Sequence, residues 1–350
     1  MIALGIETSC DETSAALVEY EGEGQAINAG GVVLSHALWS QHEHQRWGGV
    51  VPEVAARAHA HYIAPTVQRV FRQANLSWHA IDCIAVTAGP GLIGGLVVGM
   101  SYAQALSIAS NKPFLAINHL AAHALSVRVS ESCPFPYLLL LVSGGHSQLV
   151  CVESASQFHV YGTTRDDAVG EAFDKVARML QLDWPLGPHL EICARTGDPK
   201  AHALPQAFVR QKRCDFSFAG LKSAVRRMVE ERPPETAKQK ADIAASFQYT
   251  ATAMLCERST QAMQRFRNDH PDLAQARFVA AGGVAANQYL RAALQAVCAD
   301  NQFQLLLPPP ELCTDNAVMV AWAGLERMLA PEKPFQPDSI GHAPHPRWPL

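Results

Sequence analysis

Leu4-Gly5-Ile6-Glu7-Thr8-Ser9 leading to Ala15-Ala16-Leu17-Val18, and Leu139-Leu140-Leu141-Val142-Ser143-Gly144-Gly145-His146 leading to Gln148-Leu149-Val150, share one grammar. Each reads as a strand, a tight turn of small residues, and a second strand. A hairpin turn of Gly, Ser and Thr points backbone N–H groups and hydroxyls outward without bulky side chains, which suits a phosphate or another anion. Its recurrence about 135 residues later predicts a duplicated domain with a nucleotide held between the halves.

The rest of the chain fits that frame. At 350 residues it exceeds what one compact core usually serves, so two domains are expected. Hydrophobic residues at 48% and charged residues at 17% describe an ordinary globular chain. The N-terminus enters a strand at Ile2 with no basic leader, and no apolar run is expected to reach the roughly 18 residues of a membrane span. Nine cysteines stand singly with no C-x-x-C pair, which speaks for reduced thiols and a cytosolic protein rather than a disulfide framework or a zinc ribbon.

A net charge of −4 does not announce a nucleic-acid binder, so any such contact must be local or shared. The local candidate is Arg210, Lys212, Arg213, Lys222, Arg226 and Arg227 with Phe216 and Phe218 between. A phosphate-contacting patch and a solvated helix face beside a core strand are equally compatible with it.

Residues 27–40 alternate as a further strand, 51–74 carry helical periodicity, and 81–87 form a short buried strand. Gly89-Pro90-Gly91-Leu92-Ile93-Gly94-Gly95 then opens a small-residue helix, its glycines better explained by packing than by a ligand. It is not a dinucleotide fingerprint, because no βαβ unit with a suitably spaced acid follows. The second half repeats the order: the hairpin from Tyr137, a strand near Phe158, a helix over 166–180 and a long helix over 237–268. Phe278 to Asn287 runs strand, Gly-Gly turn, helix, and there Asn287 could bond ligand hydroxyls. The proline-punctuated tail, 331–350, is expected to lie extended on the surface.

His119 and His123 lie one helical turn apart after a strand, so their imidazoles share a face and can share a metal. Ala121 and its neighbours leave no Glu between them, so the base of an H-E-x-x-H protease is missing. Asp315, at the mouth of a later helix, is either a cap or an oxygen ligand; with two imidazoles it would leave positions open for substrate or water. The pairs His42/His44 and His59/His61 have no evident partner and are expected at the surface. Asp11 and Glu12 lie in the first hairpin turn, where paired carboxylates suit a nearby cation or a base acting on an attacking amine. The acids at 166 and 167 read as first-turn helix charges, whereas Asp174, deeper in that helix, is a candidate for holding a ribose or threonine-like group.

Gly5-Ile6-Glu7-Thr8-Ser9-Cys10-Asp11-Glu12-Thr13, Gly48-Gly49-Val50-Val51-Pro52-Glu53, Leu141-Val142-Ser143-Gly144-Gly145-His146, Gly170-Glu171-Ala172-Phe173-Asp174-Lys175, Asp215-Phe216-Ser217-Phe218, Gly282-Gly283-Val284-Ala285-Ala286-Asn287, Cys313-Thr314-Asp315-Asn316 and Pro346-Arg347-Trp348-Pro349-Leu350 together resemble the tRNA threonylcarbamoyladenosine transferase family, over the whole chain. The resemblance implies an α/β, duplicated two-lobe actin and sugar-kinase-like ATPase fold with a nucleotide cleft between lobes. An N-terminal lobe would span 1–130, completed by 316–350, and a C-terminal lobe 131–315. It implies transfer of the threonylcarbamoyl group from threonylcarbamoyl-AMP to N6 of adenosine 37 in tRNAs reading codons that begin with A.

By motif, His119, His123 and Asp315 are similar to the family's ligands for iron or zinc. Leu141, Val142, Ser143, Gly144, Gly145, Asp174, Gly187 and Asn287 are similar to its adenylate or ATP contacts. Implied partners are tRNA, a smaller inactive paralogue and a P-loop ATPase, with a separate synthetase making the adenylate. Two departures stand out: Ala121 where many bacterial relatives carry Glu, and Pro185-Leu186-Gly187-Pro188-His189 without the family's paired glycines. A metalloprotease and a non-catalytic scaffold are the alternatives; the missing Glu argues against the first, retention of all three ligands and both turns against the second.

Overall fold

In the computed structural model the described residues are 1–22, 30–47, 49–209, 211–330 and 335–350. They form two compact units: Met1–Phe135 with Ser154–Gln157 and Pro308–Leu350, and Pro136–Glu153 with Phe158–Leu307. In chain order the first unit holds β1 (Ile2–Glu7), β2 (Glu12–Glu19), β3 (Val32–Ser40), α1 (Pro52–Ala74), β4 (Cys83–Gly89), α2 (Ile93–Ser110), β5 (Phe114–Asn118), α3 (His119–Leu125) and α4 (Val127–Ser130). The second holds β6 (Tyr137–Val142), β7 (Ser147–Val152), β8 (Phe158–Thr163), α5 (Val169–Met179), α6 (Leu186–Ala194), α7 (Ala219–Glu231), α8 (Ala237–Asp269), β9 (Ala276–Ala281), α9 (Gln288–Asp300) and β10 (Phe303–Leu306). The chain then returns to the first with α10 (Pro310–Cys313) and α11 (Ala317–Leu329).

The duplication is visible strand by strand. The first sheet runs β3-β2-β1-β4-β5 and the second β10-β9-β6-β7-β8. In each, the first three strands are an antiparallel meander, the fourth pairs in parallel with the first, and the fifth pairs in parallel with the fourth. Parallel pairing requires both faces to be covered. In the first unit Leu4, Ile6, Ala15 and Leu17 pack with Ile63, Val67 and Met100 of α1 and α2. The alternate residues Ala3, Ala16 and Val18 pack with Trp322 and its neighbours on α11. Gly5 is required there, since a Cβ would stand 2.1 Å from the Ala317 carbonyl.

In the second unit Leu138, Leu140, Val142 and Leu149 share one core with α5, α6, α7 and the buried stripe of α8. α8 starts at a full capping box: Thr236 accepts from Gln239 N, and the Gln239 side chain accepts from Thr236 N.

Several expectations are corrected. By length and composition α2 does qualify as a membrane span. One face of it packs on α1 and β4, with Gly95, Leu96, Gly99, Met100 and Ala103 buried, and a Cβ at Gly95 would meet the Thr8 carbonyl at 2.2 Å. The glycine run thus serves packing. The helix expected from Asp166 begins at Val169, because the Asp166 side chain is bound elsewhere. Its Oδ1 accepts from Phe218 N and Ala219 N at the start of α7. Part of the strand expected over 27–40 lies outside the described residues, which hold Val32–Ser40.

His44 and His59 are fully buried rather than at the surface. His59 Nδ1 lies 2.8 Å from Thr13 Oγ1 and Nε2 3.1 Å from the Cys10 carbonyl, while His44 Nε2 lies 2.9 Å from Gln41 Oε1. His61 is exposed, and the His42 side chain lies outside the described set. Of the tail, Pro331–Pro334 lie outside the described residues; the rest is irregular and tied to the first unit. Asp338 N donates to the Phe114 carbonyl and Asp338 Oδ2 accepts from Ala116 N, which covers the edge of β5.

Candidate metal centre and nucleotide-binding turn

In the first unit β5 delivers the chain into α3, where Asn118 Oδ1 accepts from Leu120 N and Ala121 N and starts the helix. That cap fixes His119 and His123 one turn apart on one face, both buried, with ring centroids 4.7 Å apart and planes at 89°. Asp315 arrives from the turn between α10 and α11. Capping of α11 falls to Asn316, whose Oδ1 accepts from Met319 N, so the Asp315 carboxylate is left for the histidines. Its Oδ1 is 3.0 Å from His123 Nε2 and 3.5 Å from His119 Nε2.

The residue that sequence reasoning missed is Glu7. Fully buried at the end of β1, it accepts from Ser9 N at 2.6 Å and Thr87 Oγ1 at 2.6 Å, and its Oε2 lies 3.0 Å from His119 Nδ1. A carboxylate on Nδ1 holds the proton there and turns the Nε2 lone pair toward the shared point, as carboxylates do behind metal-bound histidines. The available signal was an acid inside an otherwise apolar strand.

The charges are mutually dependent. Burial opposes ionisation of Asp315, yet the two imidazoles hold its carboxyl well below the usual range. Burial likewise opposes protonation of His119, but Asp315 and Glu7 overcome it and push the imidazole well above its ordinary value. Glu12, at the start of β2, is pushed well up by burial and then by the charges of Asp11 and Asp315. Asp315 and Glu7 thus flank the two imidazoles, whose Nε2 atoms converge on Asp315 Oδ1, and once the shared protons are released His119, His123 and Asp315 make a donor set suited to a divalent cation with open positions.

In the second unit the turn between β6 and β7 is closed by Ser143 N donating to the His146 carbonyl. Around Gly144 and Gly145 nothing lies within 4 Å of where a Cβ would be. The N-terminus of α5 abuts this turn: Val169 N donates to Ser147 Oγ, and a Cβ on Gly170 would meet the Ser143 carbonyl at 2.5 Å. Gly282, with φ +93°, brings the turn after β9 equally close, since its Cβ would lie 2.4 Å from the Val142 carbonyl. Backbone amides, a helix N-terminus and open space beside two glycines are features that suit an anion.

Asp174 and Gly187 are neighbours, the Gly187 Cβ position lying 3.7 Å from Asp174 Oδ1. Asn287 has both ends of its amide engaged: Oδ1 accepts from Leu290 N and caps α9, and Nδ2 donates to Gln248 Oε1. The basic candidates divide. Phe216 and Phe218 are core residues, Arg213 pairs with Asp215, and Lys222 pairs with Asp167. Lys212, Arg226 and Arg227 remain exposed, and Arg210 lies outside the described residues.

The family model described as tRNA N6-adenosine threonylcarbamoyltransferase matches residues 32–322. The chain belongs to this family. The proteins of that name from Brucella anthropi and Brucella ovis are each 50% identical to it over 350 residues, spanning 100% of this chain and 95% of theirs. Among solved structures it is similar in fold to full-length HypF in its phosphate- and nucleotide-bound form, at 12% identity over 95% of this chain and 47% of that one, with a TM-score of 0.58. That likeness and the twice-used strand order are those of the duplicated actin and sugar-kinase-like α/β fold.

Proposed function

We propose that the chain transfers the threonylcarbamoyl group from threonylcarbamoyl-AMP to N6 of adenosine 37 in tRNAs reading codons that begin with A. The amine nitrogen bonds to the carbamoyl carbon, the bond from that carbon to the phosphate oxygen breaks, AMP leaves, and the amine gives up one proton. The donor is a mixed carbamoyl-phosphate anhydride, already reactive, so orientation and charge stabilisation are the main requirements.

His119, His123 and Asp315 would hold the ion, Fe2+ or Zn2+, and the donor set fits it. When bound, the ion supplies Lewis-acid polarisation of a substrate oxygen. Glu7 keeps the proton of His119 on Nδ1. Leu141, Val142, Ser143, Gly144 and Gly145 contact the adenylate, with Asp174, Gly187 and Asn287 completing its site. The turn amides and the α5 N-terminus suit its phosphate. Of Asp11 and Glu12, Glu12 is the better base, because a carboxyl pushed up by burial and neighbouring charge holds an abstracted proton more readily. tRNA, a smaller inactive paralogue and a P-loop ATPase are the partners of this reading, in the cytoplasm.

The observation that carries the proposal is the convergence of His119 and His123 on Asp315 Oδ1 in a chain of this family. A protease reading lacks its base, since Leu120 stands directly after His119, where H-E-x-x-H carries its Glu. The test is nucleoside mass spectrometry of tRNA from cells depleted of the protein. Threonylcarbamoyladenosine should vanish, returning with the wild-type chain and not with His119→Ala, His123→Ala. Its persistence in depleted cells lacking a paralogue would sink the reading.

A further inference from the structure

We propose that Cys151, Glu153 and His270, in the second unit, form a second metal site that takes a thiophilic divalent cation such as Zn2+. Cys151 sits on β7 and Glu153 two residues on, so strand alternation puts both side chains on one face. His270 follows the last turn of α8, its ring packed on Phe266 with centroids 4.6 Å apart. Cys151 Sγ is 3.2 Å from Glu153 Oε1 and 3.4 Å from His270 Nε2, and His270 Nε2 is 3.2 Å from Glu153 Oε1.

Three ligand atoms on a tetrahedral zinc, with bonds of about 2.3 Å to sulfur and about 2.1 Å to nitrogen and oxygen, stand about 3.4–3.6 Å from one another. The observed triangle is close to that size before any ion draws it together. Its chemistry also matches: thiolate, imidazole and carboxylate are the three zinc donors, and Cys151 is fully buried while Glu153 and His270 are partly buried.

A nucleophile relay is the competing arrangement for a Cys, a His and an acid. It needs the acid on the ring nitrogen opposite the thiol, so that proton transfer passes through the ring. Here Sγ and the carboxylate meet the same Nε2, which is convergence on a point rather than a relay. The nearby Asp269 carboxylate is already engaged by the Tyr161 hydroxyl, and Arg265 lies over the Tyr161 ring. Three protein ligands therefore leave one position for water. Binding replaces the thiol proton with the metal, the proton going to solvent, and clamps the end of α8 to β7 with no change of oxidation state.

The site is independent of His119, His123 and Asp315, and thiolate chemistry separates the two. Cobalt(II) titrated into the full chain carrying His119→Ala and His123→Ala should develop a near-ultraviolet thiolate-to-cobalt charge-transfer band. Cys151→Ser on that background should abolish it, and His270→Gln should lose it at cobalt concentrations that saturate the parent. Zinc should raise the melting temperature of the parent and not of Cys151→Ser. A band that survives Cys151→Ser overturns the assignment. So does a parent chain with no band and no zinc-dependent melting shift, a result that stands even if the serine variant fails to fold.

Discussion

Glu7 Oε2 lies 3.0 Å from His119 Nδ1, in a pocket where both residues are almost wholly shielded from water. The contact fixes which ring nitrogen faces Asp315, and so whether the imidazole can act as a ligand. Glu7→Gln keeps the shape and loses the charge; metal affinity at the first site should fall by about 10–100-fold. Competitive titration against a chelator measures it, with circular dichroism to check the fold. Unchanged affinity would reduce Glu7 to a structural hydrogen-bond acceptor.

Glu12→Gln should lower single-turnover transfer by about 10²–10⁴-fold, the usual range for a lost base. Its carboxyl is pushed up by burial and by Asp11 and Asp315, so the base form is populated only above the ordinary carboxylate range. The wild-type rate should rise with pH through that raised value, and the Gln variant should lose the dependence. If Asp11→Asn is the slow variant instead, the two residues exchange roles.

Gly144 and Gly170 flank the same turn and should respond in opposite ways. Open space surrounds the Gly144 Cβ position, so Gly144→Ala should leave stability within about 0.5 kcal/mol while weakening binding of an adenylate analogue. Gly170→Ala would press on the Ser143 carbonyl and should destabilise by about 1–3 kcal/mol. Calorimetric binding and denaturant melts of the two variants read both effects.

Arg128 and Glu326 form an ion pair with both side chains buried, Nε to Oε1 at 2.5 Å, and Arg128 also lies over the Phe135 ring. Removing one partner strands the other charge away from water. Glu326→Ala should therefore reduce stability by about 3–5 kcal/mol, seen as a clear fall in melting temperature.

Asp215 gives the second unit an acid-sensitive tie. Burial opposes its ionisation, but Arg165 and Arg213 overcome this and hold the carboxyl below its ordinary value. A depressed folded value stabilises above the unfolded value of about 3.9, and the gain is lost as pH falls through the folded value. Asp215→Asn should be less stable by about 1–3 kcal/mol at neutral pH, converging with wild type in acid. Urea melts across that range would show a constant gap if the argument is wrong.

Local patterns in the sequence determined the elements and their repetition. Small-residue turns after apolar strands marked both hairpins, and the spacing of His119 and His123 marked a shared helix face, because these features depend only on near neighbours in the chain. What only the tertiary structure decided is who stands beside whom across long separations. Glu7, His119 and Asp315 meet because β1, β5 and the return of the chain at Pro308 belong to one unit. Phe216 and Phe218 face the core, although their sequence context fits an exposed patch as well. His44 and His59 are internal because Gln41, Thr13 and the Cys10 carbonyl satisfy them. Cys151 and His270, single residues without a motif, come together only because β7 and the end of the 33-residue helix α8 pack in the same unit. Periodicity sets which face a side chain takes; long-range packing sets what it finds there.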